Sequence, residues 1–119
     1  MSAPNRGAWG EAQVAAYLRR RGYAIVASNY RCRFGEIDVI ARDGKTLCFV
    51  EVKLRSEVRH GLPREFVTAR KQEKLRTTAE YYLSAHELDV PVRFDVAEVY
   101  ADQGNQTATP RIEYIENAF

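Results

Sequence analysis

Four residues in the first half of the chain are of the right types and spacing to do chemistry together: Glu11, Asp38, Glu51 and Lys53. Asp38 precedes an Asp43-Gly44 pair and Glu51 follows it, and Asp-Gly is a strong short-range signal for a tight hairpin. With the turn near residues 43–45, antiparallel pairing sets Asp38 roughly opposite residue 50 or 51. Lys53 stands two residues after Glu51, so both side chains leave the strand on one face. Acids set among apolar strand residues are expensive to bury unless they are paired or bind a cation. Two carboxylates suit Mg²⁺, a hard ion that takes oxygen ligands and keeps several waters. Such an ion activates a water and neutralises the charge that develops on a phosphodiester. Lys53 would hold or deprotonate the attacking water, or stabilise the phosphorane. Glu11 is a third carboxylate, for a metal-bound water or a second metal. Each residue also has a purely structural reading. Glu51 and Lys53 can pair across the strand face, Asp38 can cap the hairpin or meet an arginine, and Glu11 can pair with Arg33. Lys53 could also neutralise both acids with no metal present.

The elements that must position these groups follow from periodicity. Residues 6–21 read as a helix closed by Gly22, with Gly7, Val14, Ala15 and Leu18 on one stripe and Glu11 in its middle. Tyr23–Tyr30 reads as a strand and Arg31–Gly35 as a turn. Glu36–Arg42 is a second strand, with Glu36, Asp38 and Ile40 on one face and Ile37, Val39 and Ala41 on the other. Thr46–Arg55 is a third, and its run Leu47-Cys48-Phe49-Val50 is apolar on both faces, as a central strand requires. Ser56–Pro63, with Gly61 and Pro63, reads as a mobile loop. A second helix is expected over about 64–87, with Val67, Leu75, Thr78, Tyr81, Tyr82 and Ala85 on one face and Lys71 and Lys74 on or beside it. Val92–Tyr100 is a fourth strand, 102–109 a polar loop and Arg111–Glu116 a short last strand. The order α-β-β-β-α-β-β predicts a single α/β domain over 1–119, a mixed sheet flanked by helices.

Charge keeps a polyanionic partner open, the alternative being that folding mixes the two halves of the chain and leaves no basic face. The net charge of +2 hides a split: residues 1–76 carry +8 and residues 77–119 carry −6. Arginine supplies 14 of the 18 cations, and its planar fork suits phosphate. Arg31 and Arg33 before the Asp38 strand, Arg55, Arg59 and Arg64 after Lys53, and Lys71 and Lys74 on the second helix could line a phosphate groove. The opposing reading is solvated surface charge. No apolar run is long enough for a transmembrane helix, so no membrane partner is expected. Cys32 and Cys48 are too few for a disulfide scaffold or zinc site, and are expected as reduced thiols in a cytoplasmic protein.

The ordered set Gly10-Glu11, Gly35-Glu36-Ile37-Asp38-Val39-Ile40-Ala41, Phe49-Val50-Glu51-Val52-Lys53, Lys71-Gln72, Lys74-Leu75, Arg93-Phe94-Asp95-Val96 and Asn117-Ala118-Phe119 resembles the YraN family of bacterial proteins. That family is related to archaeal Holliday-junction resolvases within the PD-(D/E)xK, restriction-endonuclease-like superfamily. The resemblance runs over nearly the whole chain. It implies an α-β-β-β-α-β core and an Mg²⁺- or Mn²⁺-dependent nuclease site. In that site Asp38 and Glu51 would be ligands and Lys53 the water-positioning residue, with Glu11 matching the first-helix acid. The backbone carbonyl of Val52 would complete the metal shell. One departure is Ile37, where the superfamily's motif has proline. The resemblance also implies nucleic acid as partner, DNA before RNA, and a homodimer. The competing expectation is a non-catalytic nucleic-acid-binding or adaptor module on the same fold.

Overall fold

Three antiparallel pairings and one parallel crossover build a single five-stranded sheet. The computed structural model describes residues 6–55, 67–101 and 109–119. Its elements are α1 (Arg6–Arg20), β1 (Ala24–Cys32), β2 (Gly35–Asp43), β3 (Thr46–Arg55), α2 (Ala69–Ala85), β4 (Val92–Tyr100) and β5 (Arg111–Ile115). The strands lie in the order β1-β2-β3-β4-β5. β3 pairs antiparallel with β2 and parallel with β4, so the apolar 47–50 run is central, as its pattern predicts. A parallel pair needs a crossover, and α2 lies in the connection from β3 to β4.

Each helix covers one sheet face. Val14 and Leu18 of α1 pack with Val39, Ala41, Cys48, Val50, Ala97 and Val99. Leu75, Ala79 and Tyr82 of α2 pack with Ile37, Ile40, Leu47, Phe49 and Val96. β3 alternates between the two layers as period two demands, but β2 does not. Ile37 and Ile40 both join the α2 layer, where the sequence pattern put Ile37 with Val39 and Ala41. Their β1 partners Tyr30 and Ala27 also pack in that layer, and Asn29 between them has φ 55°. A left-handed residue breaks strand alternation locally, and asparagine tolerates that conformation better than most.

Three boundaries depart from expectation. Arg31 and Cys32 extend β1, so the turn shrinks to Arg33-Phe34. α2 starts at Ala69 because Thr68 caps it, its hydroxyl accepting from Lys71 N–H at 3.2 Å. Tyr81, expected on the buried face of α2, is 41% exposed, and Ala85 is exposed too. The expected loop at 56–63 and residues 64–66 of the expected helix lie outside the described residues. So does most of the 102–109 loop.

The far end of the sheet is closed by a buried ionic knot. Asp95 is fully buried and accepts from Arg93 Nε (2.9 Å), the Tyr114 hydroxyl (2.5 Å) and the Asn117 backbone N–H (2.8 Å). Arg93 also reaches Glu116, Asp43 and the Tyr23 hydroxyl. Its pKa rises further, chiefly through its hydrogen bond to Asp95. The C-terminus is thereby held down: Ala118 N–H donates to Phe94 O at 2.7 Å, and Phe119 stacks on Phe94. Asp95 therefore serves the fold, through a salt bridge to Arg93 and hydrogen bonds to β5 and the C-terminus.

Candidate active site

The candidate acids gather where β2 leaves β3. Backbone pairing of the two strands runs from Asp43↔Thr46 to Val39↔Val50 and ends there. Two residues further along β3, Val52 N–H would meet β2 backbone in a continued ladder. It donates instead to Asp38 Oδ2 at 2.8 Å. Asp38 thus substitutes for the missing strand partner, which ties its carboxylate to the same break that moves Ile37 across the sheet. Glu51, the neighbour of Val52, is buried at 5% exposure, and Asp38 shares a hydrogen bond with it.

Electrostatics marks the pair. Burial raises the Asp38 pKa to about 8, helped by the hydrogen bond to Glu51 and by the charges of Glu51 and Glu11, and opposed by the Val52 N–H. Glu11 is also raised, first by burial and then by Glu36, with Arg31 opposing. α1 reaches this depth because Gly10 has no side chain: a Cβ there would lie 3.0 Å from Leu54 Cδ2. Asp38 of β2 therefore lies within the electrostatic reach of acids from both β3 and α1.

A pH prediction follows. The unfolded chain releases the Asp38 proton near pH 4, while the folded metal-free protein keeps it to about pH 8. Folding is thus linked to proton uptake, and that contribution to stability is complete below pH 4 and lost as pH rises toward 8. The slope from this one group is at most about 1.4 kcal/mol per pH unit. Melting temperature measured in chelator from pH 5 to 9 is expected to fall with a slope that Asp38→Asn reduces. An identical profile in the variant would contradict this placement of Asp38.

The cation on Glu51 is Lys71 of α2, whose Nζ forms an ion pair with Glu51 Oε2. Partial burial lowers the Lys71 pKa, but the contact with Glu51 and the charges of Asp38 and Glu36 outweigh it and raise the value overall. Sequence spacing singled out Lys53 for this neighbourhood and assigned Lys71 to phosphate. Lys53 is half-buried on β3, in register with Glu98, and makes no ion pair among the described residues. Arg55 engages the buried Glu98 at 3.2 Å. Arg33 lies over the Phe34 ring at 4.8 Å, not on Glu11. Arg31 pairs with Glu36 at 3.1 Å on the exposed hairpin. Arg59 and Arg64 lie outside the described residues.

Next to the acids is an open groove of about 780 Å³ between the β1–β2 hairpin and α2. Arg31 and Glu36 line one wall, and Arg70, Lys71 and Lys74 the other. Lys71 belongs to both groove and acid pair, and Lys74 follows it one turn on. A hard divalent ion fits the donor set, which is all oxygen and already draws an ammonium onto its buried member. Among the described residues no group of three or more His, Cys, Asp or Glu forms a ready-made cage. An ion here would therefore take the Asp38–Glu51 pair and keep waters for the rest of its shell. Sequence reasoning missed the Val52 N–H as a partner of Asp38; the positive-φ-tolerant Asn29 was the available signal.

The Uncharacterised protein family UPF0102 matches residues 10–99, which includes Glu11, Asp38, Glu51, Lys53 and Lys71. The chain belongs to this family. It is the family that the sequence resemblance pointed to as YraN. A UPF0102 protein of Nitrosomonas europaea is 44% identical over 118 residues, covering 99% of this chain and 96% of the relative. One from Acetivibrio thermocellus is 45% identical over 116 residues, covering 95% and 89%. Among solved structures, the chain is similar to Hjc, a Holliday junction resolvase of Archaeoglobus fulgidus. The TM-score is 0.53 at 20% identity, covering 89% of this chain and 72% of that one. At that identity the likeness is one of fold. The UPF0102 chain thus has the expected resolvase-like α-β-β-β-α-β core, with β5 added at the sheet edge. No helix among the described residues is long and apolar enough to cross a membrane.

Proposed function

We propose that the chain is a metal-dependent endonuclease that hydrolyses phosphodiester bonds in structured or branched DNA. The observation that carries this reading is the buried Asp38–Glu51 pair at the β2–β3 divergence, opening beside a cation-lined groove. Asp38, Glu51 and the Val52 carbonyl would hold Mg²⁺ or Mn²⁺, with Glu11 acting through a water. When bound, that ion supplies an activated water and neutralises developing phosphate charge. Lys53 would orient the water from the strand face it shares with Glu51. Lys71, Lys74 and Arg31 would hold phosphates along the groove, with Arg33 at its hairpin end. Arg55 ends β3, and in the sequence Arg59 and Arg64 follow it as further candidate phosphate contacts. The resolvase-like fold suits a homodimer, since two copies would cut two strands symmetrically, and a cytoplasmic setting suits the free thiols.

One observation favours a second reading, a non-catalytic nucleic-acid-binding module: Lys71 already neutralises Glu51, so the acids can persist without a metal. A nicking assay on four-way junctions, flaps and plain duplex with Mg²⁺ or Mn²⁺ separates the two. Wild-type protein is expected to cut, and Asp38→Asn to cut at least about a hundred-fold more slowly, in line with the loss of an outer-shell or ligating carboxylate. Equal cutting by the variant would overturn the assignment of the site, and none by pure wild type beside salt-dependent DNA binding would hand the case to the binding module.

A further inference from the structure

Beside Gly35 and Thr78 of the groove stands an exposed aromatic pair outside the core, with the Arg33 guanidinium over its Phe34 ring. Phe34, in the hairpin turn, is 36% exposed and Tyr81, on α2, is 41% exposed; their ring centroids are 5.5 Å apart. Gly35 explains how they meet. A Cβ there would lie 3.0 Å from Thr78 Oγ1, so only glycine lets the turn settle onto α2, and Gly35 takes φ +149°. Thr78 is fully buried in this contact, while Phe34 and Tyr81 remain at the surface above it.

The pair is in line with the acids. Lys71, Lys74, Thr78 and Tyr81 are spaced three, four and three residues apart, which is one face of a helix. Lys71 touches Glu51 at one end of this stripe, and Tyr81 touches Phe34 at the other. Ten residues of helix span about 15 Å. That is about four nucleotides of a stacked strand at roughly 3.4 Å each, and fewer of an extended one. The groove along this stripe is lined by Arg31, Arg70, Lys71 and Lys74, with Glu36 the acid among its lining residues.

We propose that Phe34 and Tyr81 form a stacking platform for an unpaired base of a DNA strand whose backbone follows α2 to the acid pair. This rests on the nucleic-acid reading above and narrows it to DNA with a single-stranded segment. A partner suited to this surface must be polyanionic and carry flat rings at intervals, and a nucleic-acid strand has both properties. A second copy of the chain in a two-fold contact here would set the same cations against themselves.

Fluorescence anisotropy in chelator, where no strand is cut, tests the proposal with a blunt duplex and the same duplex bearing a single-stranded tail. Wild type is expected to bind the tailed DNA roughly ten-fold more tightly, since base–aromatic stacking is sequence-tolerant and substantial. Phe34→Ala with Tyr81→Ala should erase that preference and leave blunt-duplex affinity unchanged. Tyr81→Phe, which keeps the ring, should retain it, and thermal melts confirm that each variant folds. A tail preference that survives the alanines, or is missing from wild type, overturns the platform while salt-dependent duplex binding keeps the broader reading. A dimer that the alanines convert to monomer, read by sedimentation, overturns it in favour of a protein interface. No salt-dependent binding to either DNA overturns both readings.

Discussion

Asp95→Ala is expected to lower folding stability by about 3–5 kcal/mol, as removal of one partner from a buried ion pair does. Asp95 is fully buried and serves Arg93, Tyr114 and the Asn117 N–H at once. Its loss leaves the Tyr114 hydroxyl and the Asn117 N–H without this acceptor and takes from Arg93 its buried counter-charge, leaving the guanidinium to the exposed Glu116 and Asp43. Small domains keep only about 5–15 kcal/mol in total, so this is a large share. The effect extends to the C-terminus, because Asn117 is positioned by Asp95 and leads into the Ala118–Phe94 hydrogen bond and the Phe119–Phe94 stack. Urea unfolding followed by circular dichroism measures it. Asp95→Asn, which keeps one acceptor oxygen but no charge, should fall between wild type and alanine. A change below about 1 kcal/mol for Asp95→Ala would show that the knot is dispensable. Cleavage and DNA binding by folded Asp95→Asn should stay near wild type, since Asp95, though in register with Val50, bonds Tyr114 in the α1 layer while Glu51 meets Lys71 of α2.

Lys71→Met should have the next largest effect, in two opposite directions. Methionine keeps much of the apolar stem but removes the ammonium that sits on Glu51. Without it the buried carboxylate loses its counter-charge, so the metal-free protein should lose about 1–3 kcal/mol of stability. The same loss removes a cation that competes for Glu51. Mn²⁺ binding, measured by calorimetry, should therefore tighten about ten-fold, which is about 1.4 kcal/mol. Lys74→Met is the control: Lys74 lines the groove one turn on and should leave metal affinity unchanged. Equal or weaker Mn²⁺ binding by Lys71→Met would mean that Lys71 supports the site and does not compete with the ion. Duplex DNA binding adds an independent reading. If Lys71 leaves Glu51 when the ion enters, Ca²⁺ should strengthen DNA binding more in wild type than in Lys71→Met.

Local pattern determined much of this protein. The Asp43-Gly44 turn set the register that brings Asp38 level with Glu51, and the doubly apolar 47–50 run made β3 the central strand. Helical spacing alone put Glu11 on the inward stripe of α1. These follow from rules that act within a few residues: turn geometry, the two-residue period of a strand and the 3.6-residue period of a helix. What escaped the sequence depends on contacts between distant segments. Ile37 crosses to the α2 layer because Asn29 takes a left-handed turn and Asp38 spends its carboxylate on Val52 N–H, a partner fourteen positions away. Lys71, and not Lys53, meets Glu51 because the β3–α2–β4 crossover lays the first turn of α2 over that end of the sheet. Arg55 is taken up by Glu98 because parallel register brings β4 alongside. Several cations stand near the acids in sequence, and any of them could neutralise a buried carboxylate. Which one does is decided by reach and desolvation in the folded sheet, and those are properties of tertiary packing.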